Sequence, residues 1–526
     1  MKLTALFRLQ KLYFFFLIFF LMFHVVCVAQ PIASHSKLIS FVDCSLNGSQ
    51  KYVLRVDDKP FYMTNIQVRL DKLKYNWGWN QSAREAIIEQ AASDGFNTVS
   101  IPIHWYEVEP TKDHFDWTIL DEYLSIVAKN NIRMELLWFS QNSGGQVQWI
   151  SSTHLRVPDY VLYSPGKGSS ATTSEFSIRG DLSDYTMDLN DKKLLARETY
   201  ILSKVMEHIV LWDKENGSKH TVIGVQLGNE VTGYDFNGET FTSAQVISYL
   251  NQLGYAVKNS PYSVWTRVNC VWGMENGRIE VNEALRSVYG SGIDFVGIDL
   301  YKASLSIIRT VLPYKGLNYR MIMECEAEVS NTAQVQLAAL SGNNAYNHYD
   351  MCGPDTHGLY DRDKNNRFIP HGKYIEEVRV VNKLLNSDIV DVAVNANGYG
   401  LFVHNWAGNS KETTHGVDGI KFSPKDSTSQ AISIHRSNKE IVLMNTKGGT
   451  FNFPDSIGIT GATKGYFNGN NNWVNQGEVA FTSTLISAEA GLTMRLTRHG
   501  KEIKKESRYQ AEFASYGLGS FVESAF

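Results

Sequence analysis

The chain has 526 residues, 43% of them hydrophobic and 20% charged, with 50 Lys and Arg against 54 Asp and Glu and a formal charge of −4. Such a length exceeds what one hydrophobic core organises, so at least two domains are expected, one large enough for a barrel of roughly 250 residues. A slightly acidic chain without a cluster of Lys and Arg argues against nucleic acid or an anionic membrane as partner, while 11 Trp and 26 Tyr suit a ligand whose C–H faces stack on rings.

In chain order, the first segment reads as an export signal. Lys2, Arg8 and Lys11 stand before or at the start of an apolar run over 12–28, and Ala29 supplies a small residue ahead of Gln30. The competing reading is an uncleaved anchor, against which stand the shortness of the run and His24 inside it. The expectation is a signal peptide over 1–29, an exported protein (periplasmic, extracellular or cell-surface) and no stable membrane insertion after cleavage. Residues 30–50 read as a polar leader. Cleavage there leaves Cys44, Cys270, Cys325 and Cys352, too dispersed for a disulfide framework and without metal-ligand spacing. Whether Cys325 and Cys352 pair stays open.

From residue 51 the pattern is regular. Residues 52–56 and 61–68 alternate around Asp57-Asp58, as a hairpin or two short strands. Helical periods at 82–92, 116–129, 192–212, 243–257, 333–340 and 373–385 then interleave with strand-like runs at 98–103, 132–139, 222–227, 263–270, 293–301, 319–323 and 345–349. With 61–68 these make eight strands in βαβ order, which predicts a closed (β/α)₈ TIM barrel over 51–386. Parity favours closure over an open sheet. Gly224, Gln226, Gly228 and Glu230 oppose Ile223, Val225 and Leu227; Asn65, Gln67 and Arg69 oppose Ile66 and Val68; Asp299 and Tyr301 oppose Ile298 and Leu300. No Gly-rich loop follows the first strand, which disfavours a dinucleotide fold.

Beyond about residue 387 the helical period stops. Short alternating runs at 389–394, 400–403, 431–435, 441–444, 479–485 and 491–496, parted by turns such as Asn397-Gly398 and Lys447-Gly448-Gly449, predict an all-β sandwich over 387–526. It reads as a brace on the barrel rather than a carbohydrate-binding module, since Trp406 and Trp473 form no evident row.

Active sites of such barrels lie at the C-terminal ends of the strands. The fourth strand ends in Gly228-Asn229-Glu230 and the seventh in Met323-Glu324. Strands four and seven face each other, so a carboxyl group on each can reach both sides of one sugar, as glycoside hydrolysis requires. Side chains alternate along a strand, so Glu326 shares the face of Glu324 but stands roughly 6–7 Å further along. No His-Glu-x-x-His and no Gly-x-Ser-x-Gly pattern occurs, and nothing implies a metal or a cofactor.

These residues resemble a known clan. Gly228-Asn229-Glu230 is similar to the Asn-Glu of retaining (β/α)₈ glycoside hydrolases. His104-Trp105-Tyr106-Glu107-Val108-Glu109-Pro110, followed by Phe115-Asp116-Trp117, resembles the second-strand signature of β-galactosidase families 35 and 42, and 319–324 resembles the family 42 nucleophile strand. Tyr106 and Val108 depart from family 35, and Cys325-Glu326-Ala327 matches neither family. The resemblance spans residues 50–385. It implies a retaining β-glycosidase with Glu230 as acid/base and Glu324 as nucleophile, Asn229 on the sugar 2-hydroxyl and Tyr301 near the nucleophile. Asn65 joins the expected substrate-binding set. Trp105, Trp138 and Trp149 are candidate sugar platforms, while Glu107 and Glu109, beside Pro110, are expected to organise a turn. An oligo- or polysaccharide is the expected partner, a terminal β-galactoside before a β-mannoside, a β-glucoside or an internal glycan bond. A barrel that binds sugar without turnover is the other class.

Overall fold

The computed structural model describes residues 37–43, 53–139, 157–162, 175–176, 178–180, 185–230, 235–236, 239–271, 292–299, 319, 321–325, 345–352, 358–363, 367–371, 375–385, 389, 398–403, 419–468 and 472–499. Eight parallel strands close into a barrel: β1 (Thr64–Gln67), β2 (Thr98–Ile103), β3 (Arg133–Trp138), β4 (Val222–Leu227), β5 (Trp265–Val271), β6 (Phe295–Asp299), β7 (Met321–Glu324) and β8 (Ala345–His348). Each strand pairs with the next, and β8 closes on β1 through Tyr346 beside Thr64 and His348 beside Ile66. All eight expected strands are present.

Five helices of eight residues or more are described, α1 (Gln81–Ser93), α2 (Thr118–Lys129), α3 (Lys192–Glu215), α4 (Ser243–Lys258) and α5 (Ile375–Leu384). Their starts follow from local chemistry. Asn80 accepts from the backbone N–H of Ala83 ahead of α1, Asp191 from Lys193 and Leu194 ahead of α3, and Thr242 forms a capping box with Gln245 ahead of α4. Each such cap is worth about 1 kcal/mol. The helix expected at 333–340 lies outside the described residues. Among those described, no helix is long and apolar enough to cross a membrane.

Two apolar layers hold the barrel. The outer one joins strand residues such as Val99, Ile101, Leu136 and Val225 to Ile87 and Ile88 of α1, Leu124 of α2, and Leu202 and Met206 of α3. The other is a floor. Trp265, Phe295, Met321 and Ala345, the first residues of β5 to β8, gather with Ile223, Met323, Leu54 and Val56. Leu54 and Val56 come from a strand, Val53–Val56, that turns through Asp57 (φ 51°) and Asp58 (φ 61°) into Lys59–Pro60, the left-handed pair of a type I′ hairpin. The expected polar leader holds part of this floor: Ser40–Asp43 pairs with Val53–Val56, and Ser40 Oγ accepts from Trp265 N at 3.0 Å.

The last helix is clasped to the first α/β unit. Arg379 on α5 donates to Asp94 Oδ1 (2.8 Å), Tyr360 to Oδ2 (2.7 Å), and Asn382 to the Asp94 backbone oxygen (3.0 Å).

The C-terminal region forms two antiparallel sheets. One contains Gly398–Phe402, Ala431–Ser437, Glu440–Asn445, Thr493–Arg498, Ile459–Phe467 and Trp473–Glu478; the other contains Lys421–Pro424, Gly449–Asn452, Leu485–Ala488 and Phe481–Thr482. Phe402, Leu443, Met494 and Leu496 from the first meet Phe422, Phe451 and Ile486 from the second, a sandwich core. Lys447 bridges to Glu377 on α5 at 2.5 Å. The strand expected at 479–485 is instead a hairpin, with Phe481 paired to Ile486 and Thr482 to Leu485. Its alternation misled because Phe481 and Leu485 are exposed rather than core. Of the run at 389–394 only Ile389 is described.

Candidate active site

Inside the barrel the polar residues stack in two tiers. In the lower tier Asn65 Nδ2 donates to Ser100 Oγ (2.6 Å), and Ser100 to Glu135 Oε2 (2.7 Å). Arg267 grips both oxygens of Glu135 through Nε (2.5 Å) and Nη2 (2.6 Å), and its Nη1 donates to Met323 Sδ (2.9 Å). Neither Arg267 nor Glu135 is exposed. A fully buried pair of this kind holds only because the fork geometry satisfies both partners, and removing either would cost about 3–5 kcal/mol. Asn65 therefore belongs to the interior scaffold, level with Thr98 at the start of β2, and not to the mouth where a sugar would sit. That overturns the expectation for Asn65.

The upper tier centres on a residue that sequence reasoning passed over. Asn269, on β5, accepts at Oδ1 from Gln226 Nε2 (3.1 Å) and from the backbone N–H of Glu230 (3.0 Å). Its Nδ2 donates to Asn229 Oδ1 (3.1 Å) and to Asp299 Oδ2 (2.9 Å). One amide thus ties the end of β4 to the end of β6. The turn it holds is strained. Gly228 takes φ 69°, which glycine adopts freely, but Glu230 takes φ 48°, a left-handed conformation that disfavours a side chain. Strain of this kind costs on the order of 1–3 kcal/mol and persists where surroundings impose it. Gln226, Asn269 and the Gly228 N–H bond to Trp138 O (2.8 Å) impose it here.

Glu230 is half-buried, while Glu324, the last residue of β7, is 4% exposed. Asp299 lies in register beside Glu324 and is buried completely. Burial first, then the charges of Glu324 and Glu230, push the Asp299 carboxyl well above its usual range, against smaller pulls from Arg267 and Asn269. The ends of β4, β6 and β7 therefore bring three carboxyl groups into one electrostatic neighbourhood, two of them the glutamates singled out from the sequence.

Past β1, Arg69 makes a two-pronged bond to Asp71 (3.0 and 2.8 Å), and His104 Nε2 meets Asp71 Oδ2 at 3.0 Å. Burial acts to raise the Asp71 carboxyl, yet Arg69 and His104 overcome it and hold the group well below the ordinary range.

The aromatic expectations fare differently. Trp105 is fully buried in the outer core, donates to Glu109 Oε2 at 2.9 Å and meets Tyr160 edge-on, so it is a packing residue and no sugar platform. Trp138 ends β3 with its side chain turned to the helices, donating to Glu198 on α3 at 2.8 Å; it is also core. The strand-two motif misled because Trp105 opens a short helix, Trp105–Val108, that turns the indole into the core, whereas Trp138 shares the outward parity of Met134 and Leu136 on β3. Glu107 and Glu109 do organise the turn: Glu107 accepts from His104 N (3.0 Å), and Glu109 gathers Trp105, Asp113 N, Tyr160 and Arg197. Tyr301, Trp149 and Glu326 lie outside the described residues. Cys325 and Cys352 are both buried and unpaired with each other, and burial pushes the Cys352 thiol up to about 12.

Residues 75–162 match the family model described as β-galactosidase, glycoside hydrolase family 42. Over those residues the chain is similar to that family. Residues 245–380 match a second model, a domain of unknown function (DUF4978). No curated relative matches the sequence. Among solved structures, endo-glycoceramidase II from Rhodococcus sp. is similar at 11% identity, covering 84% of this chain and 98% of its own, with a TM-score of 0.43. A family 30 subfamily 8 xylanase, Xyn30A, from Clostridium acetobutylicum has 12% identity, covers 84% and 96%, and has a TM-score of 0.41. An endo-1,4-β-mannanase from Rhizomucor miehei has 13% identity, covers 67% and 99%, and has a TM-score of 0.45.

Proposed function

We propose that this protein is an exported retaining β-glycosidase that removes terminal β-linked sugars, β-galactosides first, with Glu230 as acid/base and Glu324 as nucleophile. The observation that carries the reading is that Glu324 stands in register beside Asp299 while Asn269 ties the Glu230 backbone to the same Asp299. The family 42 match over 75–162 favours galactose over the other sugars.

In this reading Glu324 attacks the anomeric carbon while Glu230 gives its proton to the departing oxygen, which needs carboxyl groups about 5 Å apart. Glu230 then takes a proton from water, and that water displaces Glu324 from the sugar, restoring both groups. Asn229, its oxygen held by Gln226 and Asn269, meets the sugar as a donor through Nδ2, suited to a 2-hydroxyl. The apolar segment over 12–28 supports export.

The test is a panel of nitrophenyl glycosides offered to the mature protein. Hydrolysis of the β-galactoside ahead of the β-mannoside and β-glucoside is expected. Cleavage of another β-glycoside with the β-galactoside untouched would move the specificity, and no cleavage at all would favour a barrel that only binds sugar.

A further inference from the structure

Among the described residues, Arg267 is the cation that acts on Asp299, but Nε and Nη2 are committed to Glu135 and Nη1 to Met323 Sδ. Around Asp299 stand Glu324 on β7, Glu230 at the end of β4, and Arg267 and Asn269 on β5. Three carboxyl groups thus share a space in which the described arginine already balances a fourth. Three adjacent carboxylates cannot all ionise near neutral pH, and the one wholly removed from water gives up its charge first. Asp299 has that position, with 0% exposure against 4% for Glu324 and a half-buried Glu230. Its Oδ2 accepts from Asn269 at 2.9 Å, while Oδ1, equally buried, has no hydrogen-bond partner among the described residues.

We propose that Asp299 is a positioning residue for the nucleophile: it works as a neutral carboxylic acid, donating from Oδ1–H into the space it shares with Glu324. Resting on the proposed function, this gives the site a third member with a defined task. Oδ2 is anchored by Asn269, so the proton belongs on Oδ1. A donor beside Glu324 steadies its carboxylate in one orientation and keeps a third negative charge away from the acid/base. Loss of that proton at high pH would bring the charge back and switch turnover off.

Asparagine copies a neutral acid, with one acceptor for Asn269 and donors where Oδ1–H stood. Asp299→Asn is therefore expected to keep kcat within about threefold and to extend the alkaline limb of the pH profile, whereas Asp299→Ala loses about tenfold or more in kcat, the worth of a hydrogen bond to a charged group, with KM little changed. In infrared difference spectra of wild type against Asp299→Asn at neutral pH, a carboxylic C=O band should belong to Asp299. Absence of that band, or an Asp299→Asn enzyme as slow as Asp299→Ala, overturns the proposal. If the wild type cleaves no glycoside, the proposed function falls and the infrared band alone decides for or against Asp299.

Discussion

Glu324 ends its strand beside a neutral acid and opposite a half-buried glutamate, and its removal should leave a hole of its own shape. The Glu324→Gly enzyme, given azide and an activated β-glycoside, is expected to form the α-glycosyl azide, because the small anion enters from the face the carboxylate vacated. Near-normal turnover by that variant would remove Glu324 from the role and direct attention to Glu326. Both glutamates were legible in the sequence because each stands where an apolar run gives out, a position that barrel geometry alone marks as chemical. Asn269 and Asp299 were not read as part of the site, although Arg267 and Asn269 alternate with Val268 and Cys270 along one strand. Parity says that such residues point inward; it does not say which of them meet. Trp105 shows the converse, a residue in a convincing motif whose indole is turned toward the helix layer and bonded to Glu109.

At the scale of the element, β4 explains why alternation is an incomplete guide. Its pairing with β3 shifts register between Val222 and Gly224. This irregularity sends Ile223 into the floor cluster while Val225 and Leu227 keep to the helix layer, so the expected outward set of three is an outward pair. A bulge adds a residue without any mark in the hydrophobic pattern. The same irregularity makes Gly224 indispensable, since a Cβ there would stand 1.9 Å from Trp265 Nε1 and 2.4 Å from its Cε2. Trp265 cannot yield easily, being fully buried with its indole against Glu135. Gly224→Ala is expected to destabilise the barrel by about 1–3 kcal/mol, the usual cost of overpacking, read as a lower midpoint in urea. An unchanged midpoint would mean that the floor is looser than its packing implies.

For the molecule as a whole, the fold class was open to reading from the order of periods, because eight alternations of strand and helix admit few other closures. The hairpin at 481–486 and the floor strands at 37–43 were hidden by polar or exposed surroundings that carry no period. A global property follows from His348, buried between Phe96 and Tyr346 with ring contacts at 5.4 and 4.4 Å. Burial lowers its pKa from 6.5 to about 3. The unfolded chain therefore takes up this proton first, and the stability contributed by a neutral His348 is present above pH 6.5 and drains away as pH falls from there toward 3. Between pH 7 and pH 4 the loss is about 3 kcal/mol. His348→Phe, which keeps the aromatic contacts and cannot titrate, should flatten that acid limb when urea unfolding is followed at both pH values; an equally steep limb would place the sensitivity elsewhere.

The clasp between α5 and the first α/β unit also fixes a sequence of events in time. Arg379 and Asp94 are 285 residues apart, and the seam between β8 and β1 is nearly as long in the chain. At a synthesis rate of about 5–20 residues per second, roughly 15 to 60 s separate the emergence of Asp94 from that of its partner. For that interval β1 has β2 on one side and nothing on the other, an open edge able to recruit any passing strand. Until β8 and the helix behind it arrive, that edge stays open and the ring cannot shut.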